Sequence, residues 1–285
     1  MSFYGLMSGG STILLKLGIL RVGGLAIHNF WSDLIPAASK LLTDRVWMTG
    51  AFLSVGGFLV YLVALQFFDL SIVKPLVNTN LLVSVVIAFI ILNERLRFSE
   101  WLGVLVLVCG VLLIATSPTG SSSTNVTFTD LLSVVPLSLV LILALVTFTA
   151  KPVQNHAEVY FSIFSGLFYG LGTIYTKGMV EALPNIGLFV LSLTLFLANY
   201  GVAIVAGQLA FERGRLSIIN PLVNGLSVST AVVGAVLIFG EPLLVTSGLH
   251  PLLSLGKLVG LICILVSLVL LRRELPIQNN SILDP

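Results

Sequence analysis

Long apolar runs recur along the chain, separated by short polar stretches. A helix of about 20 apolar residues is long enough to cross a hydrocarbon core of about 30 Å. The runs predict nine transmembrane helices, near residues 4–22, 46–68, 72–92, 101–117, 131–149, 158–180, 186–210, 216–239 and 257–271. The expected fold class is an all-α polytopic membrane protein.

The segment between the first two spans, residues 26–45, is more polar than the runs around it. Its apolar residues recur at intervals of three and four, which places them on one face of a helix. This pattern favours an amphipathic helix in the membrane interface, kinked at Pro36. A short tenth span is the alternative interpretation.

Composition agrees with a chain that folds in lipid. The sequence is 57% hydrophobic and 9% charged, with a mean hydropathy of +1.09, whereas soluble domains are about 25% charged. The first apolar run lacks a basic leader and an A-x-A-like cleavage site, so we interpret it as a spanning helix. Cys109 and Cys263 lie inside apolar runs, where a small hydrophobic residue is a sufficient explanation for each.

The distribution of basic residues predicts the orientation. With nine spans and an outside N-terminus, the outer side receives only three lysines, namely Lys74, Lys177 and Lys257. The cytoplasmic side receives a larger set: Arg21, Lys40, Arg45, Arg95, Arg97, Lys151, Arg213, Arg215, Arg272 and Arg273. This bias is the one that the positive-inside rule expects. It predicts a cytoplasmic C-terminus and does not decide between nine and ten spans.

One nine-residue stretch occurs twice. LSIVKPLVN at 70–78 and LSIINPLVN at 216–224 are identical at seven of nine positions, and each opens a predicted span. Upstream, five residues keep the same mutual spacing in both copies: Gly5, Gly9, Thr12, Ile13 and Lys16, and Gly166, Gly170, Thr173, Ile174 and Lys177. The chain therefore contains an internal repeat of four spans.

A single unmatched span, 131–149, separates the copies, so the second copy is inverted relative to the first. The predicted organisation is a first repeat at 1–117 with the amphipathic segment 26–45, a loop and linker helix at 118–157, a second repeat at 158–272 and a polar tail at 273–285. Inverted-topology repeats are common among secondary transporters, which hold substrate near the midplane where the repeats meet.

Paired polar residues indicate a path through the bundle. Pro75 and Pro221 are expected in the first turn of their helices, either as helix starts or as parts of mobile broken helices. Asn78 and Asn224 follow three residues later in each copy. Polar groups at membrane depth are expected to face the bundle interior. The candidate residues for the substrate path are Asn78, Thr79, Asn80, Asn224, Ser227, Thr230, Gln66, Gln208, Asn199 and Tyr200. Interhelical hydrogen bonding is the structural alternative for each of them.

Four charged residues are candidates for the mouths of the path. Lys16 and Lys177 occupy matched places near helix ends, where snorkelling to the headgroups is expected. Glu94 and Glu241 follow the duplicated helices, and we expect them to accept hydrogen bonds from Arg95, Arg97 or backbone N–H groups. No carboxylate falls at the centre of a predicted span, which disfavours a proton relay or a deep multi-carboxylate metal cage. The metal ligands, if any, are undetermined from sequence.

The ordered duplication resembles the drug/metabolite transporter superfamily, EamA-like group. The resemblance rests on the SIVKPL and SIINPL helix starts and on the NERL-x4-WLG-x6-G-x-LLI run at 93–114. Within that superfamily the chain is most similar to NIPA-type proteins, which share a small-residue first helix ending in Lys, as in SGGSTILLKLGILR here. The resemblance implies transport and suggests Mg²⁺ as cargo, but it transfers no substrate residues.

The sequence therefore predicts a transporter that works by alternating access, with no enzymatic step and no cofactor. No H-E-x-x-H motif, paired intramembrane aspartates or Ser–His pair is present. The first interpretation is a NIPA-like Mg²⁺ or divalent cation transporter. The alternatives are an EamA-like transporter of a small organic metabolite, such as an amino acid or a nucleotide sugar, and a non-transporting membrane scaffold. The expected partners are the lipid bilayer and the cargo, with a homodimer as an option and no nucleic acid.

Overall fold

The described part of the chain is built from helices. The computed structural model describes residues 2–22, 30–67, 70, 73, 97–117, 127–149, 157–182, 185–241 and 255–272. The helices are α1 Ser2–Arg21, α2 Phe30–Thr43, α3 Arg45–Phe67, α4 Phe98–Ala115, α5 Phe128–Leu132, α6 Val135–Thr149, α7 Ala157–Glu181, α8 Ile186–Arg213, α9 Leu216–Phe239 and α10 Gly256–Arg272. Each coincides with a predicted span or with the amphipathic segment. The predicted span 72–92 lies outside the described residues apart from Val73.

The protein is an all-α polytopic membrane protein. Among the described residues, α3, α4, the segment Phe128–Thr149, α8 and α9 are each long and apolar enough to cross a bilayer, and α10 is a shorter apolar helix. Their outer faces carry large exposed apolar side chains, such as Phe52 at 69% and Leu143 at 65% exposure. Such surfaces are stable only against lipid or another protein.

The amphipathic segment forms helix α2, with Pro36 inside it. Its 14 described residues follow residues 23–29, which lie outside the described part of the chain. Leu41 is buried, whereas its neighbours Lys40 and Leu42 are exposed. The choice between an interfacial helix and a short tenth span stays a prediction.

The linker helix differs from the prediction of a single helix at 131–149. It begins earlier, at Phe128, and breaks at Ser133 and Val134 into α5 and α6. Pro136 explains the break, because it has no N–H to donate to the carbonyl of Leu132 and its ring crowds that carbonyl. Thr127 and Asp130 form a capping box that fixes the start of α5.

Glycines bring three pairs of helices close together. α1 contacts α3 at Gly50, where a Cβ would lie 3.0 Å from the Ser11 carbonyl oxygen. α7 contacts α9 at Gly170, where a Cβ would lie 2.4 Å from the Thr230 Cβ. α4 contacts α10 at Gly110, where a Cβ would lie 2.7 Å from the carbonyl oxygen of Gly260. α4 and α10 are the last helices of the two predicted repeats, so this contact joins the repeats.

Candidate functional site

A cavity of about 550 Å³ lies between helices of both predicted repeats. Helices α1 and α3 supply one wall, and α7, α8 and α9 supply the other. Its polar lining consists of three amides, eight hydroxyl groups and one indole N–H, from Gln208, Asn220, Asn224, Ser11, Thr12, Ser54, Ser165, Ser227, Tyr61, Tyr169, Tyr200 and Trp47. None of the described lining residues carries a charge. The cavity is thus polar and neutral in its described part.

A polar stripe of α9 faces the cavity through Asn220, Asn224 and Ser227, which share one helix face. The Asn224 side chain donates from Nδ2 to the Asn220 carbonyl oxygen at 2.9 Å and to Asn220 Oδ1 at 2.8 Å. The Ser227 hydroxyl is buried without a hydrogen-bond partner among the described residues. A ligand that donates or accepts a hydrogen bond would satisfy that hydroxyl.

The sequence predicted that Pro221 lies in the first turn of its helix, but Pro221 lies further inside the helix. α9 begins at Leu216, because Arg215 takes an extended conformation and its carbonyl accepts from Ile219 N at 3.0 Å. Pro221 is therefore the sixth residue of α9, and it has no N–H to donate to the carbonyl of Ser217. It is buried and adjoins Asn220 in the polar stripe.

Aromatic rings form the second component of the lining. Phe58 of α3 stacks on Phe196 of α8 with ring centroids 5.1 Å apart, and Tyr200 lies 4.5 Å from Phe196. Tyr169 of α7 meets Tyr200 edge-on at 5.1 Å. Sequence reasoning selected only Tyr200 from this group. For Phe58 the signal was the helical spacing of Trp47, Phe58 and Tyr61, which places these aromatic residues on one face of α3.

Two of the remaining candidates on α8 have different environments. Gln208 lines the cavity, and its Oε1 accepts from Trp47 Nε1 at 3.4 Å. Asn199 does not line the cavity: its Oδ1 accepts from Ser138 Oγ at 3.0 Å, and its Nδ2 donates to the Leu195 carbonyl oxygen at 2.8 Å. Asn199 joins α6 to α8 and is a structural residue.

Two further candidates lie away from the cavity. Gln66 is exposed near the end of α3. Thr230 is half-buried and packs against Gly170 of α7. Five candidates lie outside the described residues, namely Asn78, Thr79, Asn80, Pro75 and Glu94.

The expectation that Lys177 snorkels to the headgroups is wrong. Lys177 is only 6% exposed, and its Nζ donates to Glu241 Oε1 at 2.8 Å. It also lies 4.5 Å from the centre of the Phe239 ring and 3.5 Å from Glu181 Oε1. The left-handed C-cap Gly240, with φ of 62°, turns the chain so that Glu241 faces α7. The partner of Glu241 is thus a lysine rather than the arginines or backbone groups expected.

Lys16 is also buried rather than snorkelling. It is 7% exposed, and its Nζ donates to the Gly214 carbonyl oxygen at 3.0 Å. That carbonyl lies at the junction of α8 and α9, so Lys16 joins the first predicted repeat to the second. Burial is tolerable because the ammonium keeps a hydrogen-bond acceptor.

Another connection between the repeats, through Glu100, was missed by sequence reasoning. Glu100 is completely buried, accepts from the Arg97 backbone N–H at 2.7 Å and pairs with the guanidinium of Arg215. The sequence predicted a span beginning at residue 101, whereas α4 begins at Phe98 and holds Glu100 in its first turn. An acid at that place favours the helix start through the helix dipole.

A metal centre has little support in this geometry. No group of three or more His, Cys, Asp or Glu side chains that could hold a metal ion occurs among the described residues. Of the charged candidates for the mouths that the structure describes, Lys177 and Glu241 form an ion pair and Lys16 binds a backbone carbonyl. The arrangement is suited to an uncharged or weakly polar organic ligand, which rings, amides and hydroxyls contact well.

Comparisons with known proteins agree with this geometry. Residues 5–116 match the EamA-like transporter family. The chain is 31% identical over 81 residues to the "Probable 4-amino-4-deoxy-L-arabinose-phosphoundecaprenol flippase subunit ArnE" of Yersinia pseudotuberculosis, an alignment that covers 28% of this chain and 71% of the relative. The chain belongs to the EamA-like transporter family.

A same-named protein of Pseudomonas fluorescens is 28% identical over 108 residues, which cover 36% of this chain and 93% of that relative. That relative is therefore about as long as one predicted repeat of this chain. No solved structure matches. Membership of the transporter family agrees with the prediction from the duplicated helix starts, whereas nothing in these comparisons supports the likeness to NIPA-type magnesium transporters.

Proposed function

We propose that the protein moves a small organic solute across a membrane by alternating access, and that the cavity between the two predicted repeats is its binding site. The observation that carries this proposal is the cavity itself, which both repeats line and which presents aromatic faces beside amides and hydroxyls. Its volume of about 550 Å³ falls within the range of about 300–1,000 Å³ for small-molecule sites.

The lining chemistry favours a solute that carries hydroxyl or amide groups on a compact apolar frame. Ring faces such as those of Phe58 and Tyr200 make wide apolar contacts with flat or ring-shaped molecules. Asn224 and Ser227 supply hydrogen bonds that fix orientation. The relatives are named as subunits of a flippase for a lipid-linked amino sugar, and a sugar-like group is a solute of this kind.

The lining gives no support to Mg²⁺ as cargo. Mg²⁺ prefers a shell of oxygen ligands, including carboxylates from the protein. No described residue that lines the cavity is a carboxylate. We therefore place an organic solute ahead of the Mg²⁺ cargo that the family resemblance suggested, and a non-transporting scaffold last.

Alternating access is supported by the inverted repeat in the sequence. We propose that residues 1–117 and 158–272 act as two units that rock about the cavity, without an enzymatic step. Lys16 and Glu100 of the first unit contact the junction of α8 and α9 in the second. We place the C-terminus in the cytoplasm, as the distribution of basic residues predicts.

Uptake into proteoliposomes tests the proposal. Purified protein would be reconstituted with radiolabelled glucose, tryptophan or a nucleotide sugar outside, and separately with a trapped Mg²⁺-sensitive dye. We expect uptake of at least one organic solute above that of empty liposomes. The Asn224→Ala variant should reduce that uptake, whereas Asn199→Ala, which removes an amide outside the cavity, should not reduce it per folded molecule.

Two results would overturn the proposal. Mg²⁺ influx without uptake of any organic solute would reinstate the cation assignment. Absence of all transport, with circular dichroism showing folded protein and flotation showing insertion, would favour the scaffold.

A further inference from the structure

Tyr200 presents its ring to the cavity from α8, and neighbouring rings pack against it on several sides. Within α8, its ring centroid lies 4.5 Å from that of Phe196, one turn earlier, because long side chains of a helix lean toward its N-terminus. Tyr169 of α7 meets the ring edge-on, with centroids 5.1 Å apart. Phe58 of α3 lies 5.9 Å away, so the Tyr200 ring stands where helices of the two predicted repeats meet.

One edge of the Tyr200 ring rests on the backbone of α7 at Gly172. A Cβ placed on Gly172 would lie 2.2 Å from Tyr200 Cδ2 and 2.5 Å from Tyr200 Cε2. Carbon atoms in ordinary contact are about 3.5–4.0 Å apart, so the ring occupies space that a larger side chain at position 172 would need. Gly172 is buried and does not itself line the cavity. Any effect of Gly172 on the cavity is therefore exerted through Tyr200.

The close contacts of Gly170 and Gly178, on the same helix, involve side chains outside the cavity. A Cβ on Gly170 would lie 2.4 Å from Thr230 Cβ, and a Cβ on Gly178 would lie 2.8 Å from Leu131 Cδ2. Neither Thr230 nor Leu131 lines the cavity. These two glycines allow helices to pack closely, whereas Gly172 also sets the position of a side chain in the cavity wall.

A methyl group at position 172 would displace the Tyr200 ring. To restore ordinary contact, the ring would have to move away from α7 by more than about 1 Å. Phe196 and Tyr169 pack against the ring on two sides, and the cavity that it lines offers space for the movement. The displaced ring would therefore reduce the room for a solute.

We infer that Gly172 is a specificity-determining residue, which sets the size of solute that the cavity accepts by seating Tyr200 against α7. This inference rests on the proposed function of the cavity as a solute site. Gly172 acts as a positioning residue, since it affects the solute only through Tyr200. Size selection by this wall thus depends on a residue that no solute touches.

Thiol labelling inside the cavity tests the inference without requiring transport. The full chain would carry Cys109→Ser, Cys263→Ser and Ser227→Cys, and folded protein in detergent would be isolated by size-exclusion chromatography. The labelling rate of Ser227→Cys would be measured with N-ethylmaleimide and with the bulkier fluorescein maleimide. We expect Gly172→Ala to lower the ratio of the bulky reagent's rate to the small reagent's rate severalfold, because the displaced ring obstructs the larger reagent more.

Two controls separate displacement of the ring from overpacking in general. Gly178→Ala also places a Cβ 2.8 Å from a side-chain carbon, and it should leave the ratio of labelling rates unchanged. In a Tyr200→Ala background, which lacks the ring, adding Gly172→Ala should leave the ratio unchanged as well. An unchanged ratio in Gly172→Ala, an equal fall in Gly178→Ala, or a fall that persists without the ring would overturn the inference.

Uptake kinetics separate this inference from the proposed function. Proteoliposomes would be tested with labelled glucose, tryptophan and a nucleotide sugar. For each of these that the parent takes up, Gly172→Ala should raise KM severalfold with little change in the maximal rate, while Gly178→Ala keeps the parent's KM. The expected labelling ratios without uptake of any of the three would refute the proposed transport and support the seating of Tyr200 by Gly172. Uptake by Gly172→Ala with the parent's KM would overturn size selection by Gly172 alone.

Discussion

The two halves of α9 face different surroundings. The half from Leu216 to Ser227 borders the cavity with polar side chains. From Val228 to Phe239, no described residue of α9 lines the cavity. Gly234 approaches Ile174 so closely that a Cβ would lie 2.2 Å from Ile174 Cδ1, and the ion pair of Lys177 and Glu241 follows.

Under the proposed function, the first half of α9 serves binding and the second half serves closure. The first half contributes polar groups to the cavity, whereas the second half packs against α7 through Gly234 and Ile174. A transporter that works by alternating access needs such an asymmetry, because its cavity must be closed on one side at a time. With the orientation that the basic residues predict, the packed half lies on the outer side.

The largest expected effect comes from breaking the ion pair in the packed half. Lys177→Met leaves the Glu241 carboxylate buried without its cation, which should destabilise the protein by about 3–5 kcal/mol. Thermal unfolding of the detergent-solubilised variant checks this. The double variant Lys177→Met with Glu241→Leu should recover much of the loss, because no buried charge remains. A single variant as stable as the parent would show that the pair does not close this half.

The next effect tests the close contact of α7 with α9. Gly170→Ala places a Cβ 2.4 Å from the Thr230 Cβ, and such overpacking costs about 1–3 kcal/mol. Gly201→Ala is the matched control, since a Cβ there meets no heavy atom within 4 Å. Helix propensity alone should make that control neutral or slightly stabilising. Equal melting temperatures for the two variants would contradict the difference between a packed and an open surface.

A smaller effect distinguishes the cavity amide from the packing amide. Asn224→Ala should lower transport about tenfold with little loss of stability, since a lost ligand hydrogen bond of about 1.4 kcal/mol corresponds to that factor. Asn199→Ala should do the reverse, costing about 1–3 kcal/mol because the buried Ser138 hydroxyl loses its acceptor. Transport rates per folded molecule and unfolding temperatures check both. Similar transport losses in the two variants would refute the assignment of the cavity.

The smallest expected effect comes from the hydrogen bond between Trp47 and Gln208, which joins the start of α3 to α8. Trp47→Phe removes the long hydrogen bond to Gln208 but keeps an aromatic ring, so the loss of stability should be below about 1 kcal/mol. Unfolding in detergent with Gln208→Ala as a partner variant checks it: the double variant should be no less stable than Gln208→Ala alone. Additive losses would show that the two side chains do not interact.

The spans were predictable because each depends on local apolar length alone. The described helices match eight of the nine within a few residues, and the span 72–92 lies outside the described part of the chain. The break in the linker helix was not predicted, although Pro136 is visible in the sequence. A prediction from apolar length alone takes no account of the backbone hydrogen bond that a proline cannot donate. Helix α2 was predictable from the periodicity of its apolar residues, which is also a local property of the sequence.

The environments of the charged residues could not be predicted from local pattern. Lys177 and Glu241 are 64 residues apart in sequence, and Glu100 and Arg215 are 115 apart. A lysine near a helix end resembles a snorkelling residue unless its distant partner is known. The polar stripe of α9 was found in part, through the duplicated Asn224, whereas Asn220 was missed because Lys74 stands at the matched place in the first copy.

The most direct test of the central claim is to obstruct the cavity chemically and measure transport. Cys109 and Cys263 would be changed to Ser, and Ser227→Cys would then be alkylated with a bulky maleimide in proteoliposomes that take up a labelled solute. Phe98→Cys, at an 86% exposed position outside the cavity, is the control. We expect uptake to fall in proportion to labelling of Ser227→Cys and to stay constant for Phe98→Cys. Full-rate uptake by completely labelled Ser227→Cys protein would contradict the claim that solute passes through this cavity.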